Sequence, residues 1–453
     1  MNLVYWAVGA SSPTWVVALF WVAWILVITA FVQVVSLGIA GWFHSRHVRR
    51  RHSHTRWAKH APDAHAPTSN DPDDYLWVFL VPALNEEVTI RDSVSRLAQV
   101  DVAHKIMLVI DDGSDDATGE ILSGLDAPGL RVLTRHAPYA RVGKAAALNA
   151  AYFHLLRGIL AEPEYAGFTP DNTIVGVVDA DGRVDAHAPQ VLARRFADPD
   201  VGGAQLLVRI YNRMHILARA QDLEFGIFGH IVQAGRSLWG SANMGGNGQF
   251  NRLAALESIA TEHGPWRDKL TEDQDLGVRL VQHGWRSVQE NRASVNQQGL
   301  SSLRRLHKQR TRWAQGAWQA IGLSGHVGRM PHAPHARLDA LVYLLTPMLQ
   351  LVVGADLVFD LVYALATHSD PLPTGFLLVL LVLAPSVASM LPAAIVVARR
   401  RGGLIGLPWG ILIGFFVYPL YNWLLMPSLF HALARQLSGA TSWAKTAREA
   451  IAV

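Results

Sequence analysis

The sequence predicts an α/β domain, built on a Rossmann-like parallel or mixed sheet, together with apolar helices that span a membrane. Tyr75–Val81 and Lys105–Ile110 are apolar runs, each followed by a helical pattern, and this alternation is typical of βαβ units. Ile174–Val178 is a third run, with the β-branched character of a buried parallel strand. Hydrophobic residues make up 50% of the 453 residues, and their excess lies at the two ends of the chain.

The composition excludes several classes of function. The chain has no cysteine, so it contains neither disulfides nor thiolate metal sites. Its formal net charge is +4, but the basic residues cluster beside the hydrophobic segments, as the positive-inside rule predicts for a membrane protein. No stretch resembles the aromatic and basic platform that binds single strands, so nucleic acid is not a predicted partner.

The N-terminal stretch Trp15–Phe43 contains no charged residue and is longer than the roughly 20 residues that cross a bilayer. Residues 1–45 are therefore predicted to form a transmembrane helix. A cleaved signal peptide is disfavoured because the stretch is long and no basic region precedes it. Residues 46–74 form a basic linker, whose arginines place this side of the membrane in the cytoplasm. A histidine-rich metal tract is the weaker interpretation of the linker.

The domain predicted over residues 75–300 begins with two strands that end in polar residues. Pro82 ends the first strand, with Asn85 and Glu86 close behind it, and Asp112 directly follows the second strand. A carboxylate beyond a strand end can accept hydrogen bonds from the base or ribose of a nucleotide. Asp111–Ser114 is equally an ordinary turn sequence, and both interpretations stay open on these residues alone.

Gly143–Asn149 is predicted to open a helix. Lys144 and the positive end of the helix dipole would then both be able to face a phosphate group. The alternative is a plain amphipathic helix whose lysine is solvated.

Asp179 and Asp181 follow the third strand, at the sheet edge where such domains bind ligands. Side chains two residues apart on an extended chain point to the same side, so one divalent cation would bridge the two carboxylates and a diphosphate. Magnesium and manganese accept this sparse protein coordination, with phosphate and water completing the shell. The predicted cofactor is therefore Mg²⁺ or Mn²⁺, with Asp179 and Asp181 as its ligands.

A segment rich in glycine and carboxamides lies between this pair and the next acidic motif. It contains Gly246, Asn247, Gly248 and Gln249, which are suited to binding a hydroxylated acceptor. A purely structural turn is the alternative interpretation.

Thr271–Asp275 opens a further helix, with Thr271 as the predicted N-cap. Glu272 and Asp273 therefore stand in its first turn, where carboxylates commonly do no more than compensate the helix dipole. A role for Asp273 as a general base needs support from residues elsewhere in the chain.

Residues 301–335 are predicted to form amphipathic interface helices. Gln309, Arg312 and Trp313 fall at i, i+3 and i+4, so they share one helical face. An arginine there can hold a departing diphosphate, and the indole can stack on a sugar ring. In the alternative interpretation, Arg310 and Arg312 snorkel to lipid headgroups and the tryptophans anchor the helix at the membrane.

Residues 336–435 are predicted to form about three further membrane segments, and residues 436–453 a tail. The segments are Leu338–Ala366, Phe376–Ala398 and Leu404–Ala434, and the three arginines from Arg399 mark a cytoplasmic turn. Four spans in total are favoured, with a re-entrant or interfacial last segment as the alternative.

Three aspartates fall in the first of these C-terminal segments. Asp339 is expected to lie at the membrane interface. Asp356 and Asp360 are candidates for a functional role, because ionisable groups inside a span are costly.

The region from Tyr75 to Ala320 resembles the family 2 glycosyltransferases, in particular the membrane-integrated branch of cellulose, hyaluronan and poly-N-acetylglucosamine synthases. The ordered set of aspartates and the Gln-x-x-Arg-Trp motif carry the resemblance. It implies the GT-A fold, contact of Asp112 with uridine, and Asp273 as the general base. It places the nucleotide diphosphate and its metal on the Asp179 and Asp181 pair. The residues that it assigns to donor binding are Pro82, Asn85, Glu86, Asp112, Lys144, Asp179 and Asp181, and those assigned to the diphosphate or acceptor are Gly246, Asn247, Gly248, Gln249, Glu272, Gln309, Arg312 and Trp313.

The function implied is that of an inverting, processive β-glycosyltransferase, which uses UDP-glucose or UDP-N-acetylglucosamine to build a polysaccharide and export it. The alternative is a non-processive glycolipid synthase acting on a membrane lipid such as diacylglycerol. An inactive transferase domain in a scaffold or transporter is disfavoured, because all the motif carboxylates are retained. The expected location is the plasma membrane, with several spans and a cytoplasmic catalytic domain. The expected partners are the UDP-sugar, a growing glycan or lipid acceptor, and the bilayer, and an accessory export subunit is compatible with this function.

Overall fold

The computed structural model describes residues 13–47, 69–367 and 387–440. Most of the predicted basic linker and most of the predicted tail lie outside the described residues.

Eight strands form one mixed sheet in the order β3-β2-β1-β4-β7-β6-β8-β5. The first four strands in this order are mutually parallel. β7 runs antiparallel to both β4 and β6, while β6 and β8 are again parallel. The strands are β1 (Leu76–Ala83), β2 (Lys105–Asp111), β3 (Leu130–Thr134), β4 (Thr173–Val177), β5 (Arg183–Val184), β6 (Val201–Ile210), β7 (Gln249–Arg252) and β8 (Arg286–Gln297).

Helices cover both faces of the sheet, and longer helices extend beyond it. Those of the α/β domain are α2 (Ile90–Ala98), α3 (Thr118–Ser123), α4 (Lys144–Arg157), α5 (Ala188–Phe196), α6 (Ile216–Ile227), α7 (Ala234–Trp239), α8 (Leu253–Ile259), α9 (Glu272–Gln282) and α10 (Leu303–Ala320). The others are α1 (Thr14–His47), α11 (Pro334–Thr367), α12 (Val387–Arg400), α13 (Leu407–Leu412) and α14 (Tyr418–Leu437). A π-helical turn, Phe228–Gln233, joins α6 to α7.

The three predicted strands are confirmed as β1, β2 and β4. The packing of β1 explains why their sequences are continuous apolar runs. Trp77 and Phe79 point into one buried layer, where they pack with α2 and α5. Leu76, Val78 and Leu80 alternate with them and point into the opposite layer, which contains residues of α4, α8 and α9. Because both faces of the strand are covered, no polar alternation remains in its sequence.

Three helices in the described part of the chain are long and apolar enough to cross a membrane. They are Thr14–Gly41, Pro334–Thr367 and Gly403–Leu437. The predicted segment Phe376–Ala398 falls partly on residues outside the described ranges, and its described portion belongs to α12. Pro408 stands in the first turn of α13, where a missing backbone N–H costs little.

Two charged residues beside the apolar helices form ion pairs, and one expectation about them is wrong. Asp339 is 5% exposed and pairs with Arg236 at 2.7 Å, while its place at the membrane interface stays a prediction. Arg310 is 7% exposed and pairs with Glu224 at 2.5 Å, so it does not snorkel. In both cases a partner of opposite charge replaces the water that the buried group loses, although the Glu224 side chain itself is 28% exposed.

The α/β domain is joined to the apolar helices by close packing and by an ion pair. A Cβ on Gly235 of α7 would overlap the backbone of Leu37 in α1, so these helices approach as closely as backbones allow. At the end of α12, Arg400 donates to Asp222 of α6 at 2.7 Å. Asp222 also accepts a hydrogen bond at 3.0 Å from the backbone of Ile210, the last residue of β6. The helices are thereby fixed to the sheet itself.

We predict that Gly176→Ala destabilises the domain. Gly176 is buried in β4, and a Cβ there would overlap the ring of Phe250. That ring is held by Trp77 and Phe79, whose centroids lie 6.3 and 5.9 Å away, so it cannot move aside. The expected loss is about 1–3 kcal/mol, measured by thermal unfolding of the purified chain. Gly167→Ala is the control, because Gly167 is exposed with no atom within 4 Å of an added Cβ. Equal melting temperatures for the two variants would contradict the prediction.

Candidate active site

A cavity of about 430 Å³ lies at the carboxyl edge of the parallel strands and extends toward α10 and α11. It brings together most of the residues that the sequence singles out. Those that line it are Pro82, Glu86, Asp112, Lys144, Asp179, Asp181, Gly246, Asn247, Glu272, Asp273, Gln309, Arg312 and Trp313. Its size falls within the range of small-molecule binding sites.

Three predicted site residues do not line this cavity: Asn85, Gly248 and Gln249. Asn85 has a positive φ of 55°, and its side-chain amide donates to Asp115. Gln249 is completely buried in β7. These side chains therefore serve the turns and strands that surround the cavity.

Asp112 follows β2 and is 6% exposed. Its carboxylate accepts hydrogen bonds from the Arg135 guanidinium and from the backbone N–H of Arg141. Burial raises the pKa of Asp112 above its ordinary value, although the Arg135 charge opposes this shift. Gly113 next to it has a φ of +79°, which glycine adopts without strain and which turns the chain away from the cavity mouth.

The Asp179 and Asp181 carboxylates occupy different environments. Asp179 lies 2.6 Å from the Lys144 ammonium, and its side chain is 28% exposed. Asp181 is 4% exposed and accepts a hydrogen bond at 3.1 Å from the backbone N–H of Gln298. The backbone of Asp179 is also held, because its N–H donates to the Asn247 amide oxygen at 3.1 Å.

This donor set fits a magnesium or manganese ion. Both carboxylates line the same cavity, and they offer hard oxygen ligands. Within the described residues, no group of three or more histidine, aspartate and glutamate side chains could hold an ion by itself. The remaining ligands would have to come from water and from a bound phosphate, which is the usual arrangement for magnesium with nucleotides.

Lys144 stands at the centre of the acidic cluster, at the first position of α4. Its ammonium lies 2.6 Å from Asp179 and 3.6 Å from Glu272. Burial alone would lower the pKa of Lys144, but Asp179 and Glu272 raise it above its ordinary value. The lysine is therefore fully charged at neutral pH. The interpretation of Lys144 as a merely solvated helix residue is wrong.

In the first turn of α9, beside this lysine, Glu272 is buried and Asp273 is half-buried. Burial raises the pKa of Glu272 to about 7, and Lys144 opposes the rise. Burial also raises the pKa of Asp273, again against the influence of Lys144. The backbone N–H of Gln274 donates to Asp273 at 2.8 Å and fixes its carboxylate. A carboxylate with a raised pKa is a stronger base, as a proton acceptor requires.

Thr271 stands at the predicted N-cap position of α9, but the predicted capping hydrogen bond is absent. Its hydroxyl donates instead to the side-chain oxygen of Gln274 at 3.2 Å. Gly316 of α10 packs directly against Thr271, because any Cβ there would overlap the threonine side chain. This contact holds α9 against α10.

The glycine and carboxamide segment has a structural role in this arrangement. Gly246 and Gly248 have φ values of +73° and +74°, so the segment is a tight turn leading into β7. Asn247 binds Asp179 through its oxygen and donates from its nitrogen to the Gln297 side chain at 2.8 Å. The turn thus positions the acidic pair, whether or not its backbone also contacts an acceptor.

Gln309, Arg312 and Trp313 all lie on α10 and face the cavity, as their spacing predicts. Arg310 lies between them, with its guanidinium carbon 4.2 Å from the centroid of the Trp313 ring. The Glu224 carboxylate accepts from Arg310 and, at 2.7 Å, from the Tyr421 hydroxyl of α14. A buried ion pair therefore sets the orientation of the indole.

Several cavity residues are not predicted by the sequence. They are Arg141, Glu224, Phe225, Phe228, Met244, Gln297 and Tyr343, among others. They come from loops and helices far apart in the chain, and no local motif marks them. Arg141 is a partial exception, since it stands two residues before the glycine that precedes Lys144.

The half-parallel sheet, the Asp-x-Asp pair at its carboxyl edge and the acidic start of α9 together define a nucleotide-sugar glycosyltransferase with the GT-A fold. The chain belongs to glycosyltransferase family 2, because the model described as "Glycosyltransferase like family 2" matches residues 75–316. The predicted fold class and the predicted family are confirmed.

The relatives differ in what they make. A β-monoglucosyldiacylglycerol synthase from Synechocystis sp. is 32% identical over 308 residues, which are 65% of this chain and 58% of that protein. A poly-β-1,6-N-acetyl-D-glucosamine synthase from Staphylococcus aureus is 29% identical over 246 residues, which are 54% of this chain and 55% of that protein. The chain therefore spans little more than half the length of either relative.

A solved structure shares the overall fold. It is a mannosyltransferase from Pyrobaculum calidifontis in complex with GDP-Man and Mn²⁺, with a TM-score of 0.53 and 19% identity. The similarity covers 92% of this chain and 99% of that one.

We predict that Glu272→Gln stabilises the metal-free chain at alkaline pH. The folded-state pKa of Glu272 is about 7, against an ordinary value of 4.5. Between these values the folded state holds a proton that the unfolded state has lost, so stability falls as pH rises through this window. Glutamine removes that loss. The gain, about 1–3 kcal/mol, should appear in thermal unfolding at pH 8 and be much smaller at pH 5. Glu120→Gln, at an exposed helix position, is the control and should respond equally at both pH values. A Glu272→Gln gain that does not grow between pH 5 and pH 8 would contradict the prediction.

Proposed function

We propose that this chain is an inverting β-glycosyltransferase, which moves a sugar from a UDP donor to the hydroxyl of a membrane lipid such as diacylglycerol. The observation that carries the proposal is the position of Tyr343. This residue belongs to α11, a helix long enough to cross a membrane, and its side chain lines the cavity that contains Asp273. An acceptor hydroxyl presented from the bilayer would therefore reach the Asp273 carboxylate directly.

The extent of the similarities also favours a lipid acceptor. The family model ends at residue 316. Similarity to the glucosyldiacylglycerol synthase extends over 308 residues, whereas similarity to the poly-N-acetylglucosamine synthase extends over 246. The lipid synthase thus shares more of the chain than the catalytic domain alone.

Processive synthesis of a polysaccharide is the second candidate, and one observation favours it. Gln309, Arg312 and Trp313 line the cavity on one face of α10, as expected from the resemblance to polymer synthases. The sequence alone favours polysaccharide synthesis over glycolipid synthesis. The membrane helix at the cavity and the longer similarity to the lipid synthase favour glycolipid synthesis instead.

The donor would bind along the carboxyl edge of the sheet. Asp112 would accept hydrogen bonds from the uridine, and Asp179 and Asp181 would hold Mg²⁺ or Mn²⁺ on the diphosphate. A metal ion bound there would neutralise part of the charge that develops on the leaving diphosphate. Arg312 would bind the diphosphate oxygens from the opposite side of the cavity, which adds to the same stabilisation.

Asp273 would take the proton from the acceptor hydroxyl as that oxygen attacks the anomeric carbon. Attack from the side opposite UDP breaks the bond to the diphosphate oxygen and inverts an α-linked donor to a β-linked product. Lys144 pairs with Asp179 and Glu272 beside Asp273, and its single positive charge does not balance all three carboxylates. Asp273 can therefore remain a base next to a site that must also bind an anionic donor.

We further propose a multi-pass protein of the plasma membrane with the catalytic domain on the cytoplasmic side. The arginines at the end of α12, which contact the α/β domain through Arg400, support this orientation. The division into a transmembrane helix (1–45), a basic linker (46–74), a catalytic domain (75–300), interface helices (301–335), a membrane region (336–435) and a tail (436–453) belongs to the same proposal.

We predict that Asp273→Asn abolishes transfer and retains donor binding. Asparagine preserves the shape of the side chain but cannot accept the proton, which should lower the transfer rate roughly 10²- to 10⁴-fold. UDP-glucose binding in the presence of Mn²⁺, measured by calorimetry, should change little because Asp112, Asp179 and Asp181 are intact. Asp126→Asn, an exposed position outside the cavity, is the matched control. An active Asp273→Asn enzyme would remove this residue from the role of base.

The product of the wild-type chain distinguishes the two candidate acceptors. We expect the chain, reconstituted in liposomes that contain diacylglycerol, to convert labelled UDP-glucose or UDP-N-acetylglucosamine into a product extractable into organic solvent. The measurement is thin-layer chromatography of the organic phase, with sizing of the aqueous phase. A long, glycosidase-sensitive polymer in the aqueous phase would instead establish processive synthesis.

A further inference from the structure

Tyr343 is the side chain by which a candidate membrane helix reaches the catalytic cavity within the described part of the chain. It stands on the Asp273 side of the cavity, because Asp273 and Gln274 line the same cavity and both lie within electrostatic range of the tyrosine hydroxyl. Gln274 in turn donates its backbone N–H to Asp273 at 2.8 Å. Tyr343 therefore lies at the acceptor side of the base.

The hydrogen bonds around Gln274 leave the tyrosine hydroxyl able to bind a ligand. The Gln274 side-chain oxygen accepts from Thr271 at 3.2 Å, so towards Tyr343 the glutamine would act as a donor through its amide nitrogen. A phenol that accepts one hydrogen bond still has its own O–H to donate. That O–H is available to an acceptor hydroxyl or to another oxygen of the acceptor molecule.

The ring of Tyr343 is held from behind by a buried ion pair. The guanidinium carbon of Arg236 lies 4.5 Å from the ring centroid. Arg236 donates to both carboxylate oxygens of Asp339, at 2.7 and 3.2 Å, and the two side chains are only 5% and 4% exposed. Asp339 stands one helical turn before Tyr343, so both lie on the same face of α11.

A third helix completes this arrangement. The side-chain amide of Gln33, in α1, donates to Asp339 at 2.6 Å. The same aspartate is thereby bound by α1 and by α7 of the catalytic domain. Since the three helices meet at Asp339, a change in their packing would be transmitted to the ring of Tyr343.

We propose that Tyr343 is an acceptor-binding residue, and that Arg236 and Asp339 are the positioning residues that hold its ring beside Asp273. The inference rests on the proposed function, because it assumes a transfer to an acceptor at Asp273. It holds for a lipid or a glycan acceptor, since either presents a hydroxyl there. It also explains a buried charge pair where an apolar contact would have served packing alone.

The test compares Tyr343→Phe with Tyr363→Phe, which is the same change 20 residues further along α11, or more than about five helical turns away. Each full-length variant is reconstituted in liposomes with a series of diacylglycerol contents, and transfer from UDP-glucose with Mn²⁺ is measured together with UDP release in the absence of acceptor. For Tyr343→Phe we expect kcat/KM for diacylglycerol to fall roughly 3- to 10-fold, the effect of one hydrogen bond. The KM for UDP-glucose and the rate of donor hydrolysis should stay within twofold of wild type. Tyr363→Phe should match wild type in every measurement.

Asp339→Asn tests the positioning role. It weakens the hold on Arg236, so we expect a comparable fall in kcat/KM for the acceptor with donor hydrolysis unchanged. If Asp339 acts through Tyr343, the double variant should be no slower than the slower single variant. Additive losses would show that Asp339 supports the fold independently, and would overturn its positioning role. Should Asp339→Asn fail to fold, the two tyrosine variants still decide the role of the hydroxyl.

Two results would overturn the assignment of Tyr343. One is a kcat/KM for diacylglycerol that is the same in Tyr343→Phe as in the wild-type chain. The other is a parallel loss of transfer and donor hydrolysis, which would place the tyrosine with the base or the donor instead. Failure of the lipid proposal is a separate result: the wild-type chain would then form polymer, and the same variants would be compared by their rate of polymer elongation.

Discussion

The ammonium group of Lys144 is the interaction on which the catalytic site depends. Four carboxylates, Asp179, Asp181, Glu272 and Asp273, line one cavity, and burying so much like charge would be prohibitive without a cation. Lys144 lies within 4 Å of two of them. Its position at the start of α4 is fixed by the sheet, because α4 packs on β1 and β2 through a buried layer. The βαβ architecture thus places the positive charge where two other segments, the chain after β4 and the start of α9, bring the carboxylates together.

The order of the strands explains how those acids meet. β4 lies between the parallel half of the sheet and the antiparallel β7, so the chain after β4 faces the turn that precedes β7. Asn247 in that turn binds the backbone of Asp179, and Gln297 at the end of β8 binds Asn247. The acidic pair is therefore positioned by segments about 70 and 120 residues further along the chain. A turn with two left-handed glycines thus supports the carboxylate pair to which we assign the metal.

Sequence reasoning succeeds here where a chemical requirement is local. A strand covered on both faces must be apolar at every position, and β1, β2 and β4 are recognised for that reason. Three motif residues of α10 share a face because the helix repeat requires it. The reasoning fails where the partner of a side chain is not visible from the local pattern. Thr271 is of a residue type that commonly caps helices, but its hydroxyl bonds the Gln274 side chain. Arg310 and Asp339 lie in segments typical of a membrane interface, but both side chains are buried in ion pairs. The ion pair of Asp339 with Arg236 joins residues 103 positions apart, and the local sequence around either residue does not predict it.

The ion pairs of Arg310 with Glu224 and of Arg236 with Asp339 share two features. Arg236 with Asp339 joins α7 to α11, and Glu224, the partner of Arg310, also accepts from Tyr421 of α14, so both pairs connect the α/β domain to an apolar helix. Each arginine also contacts an aromatic ring that lines the cavity, Trp313 in one case and Tyr343 in the other. A buried ion pair contributes little net stability compared with apolar packing, but its geometry is specific, because misaligned charges lose their compensation. Apolar packing would hold these helices equally well and would allow the rings several orientations. The charge pairs therefore fix two aromatic side chains at the end of the cavity to which we assign the acceptor, where under the proposed function the position of a hydroxyl relative to Asp273 determines whether transfer occurs.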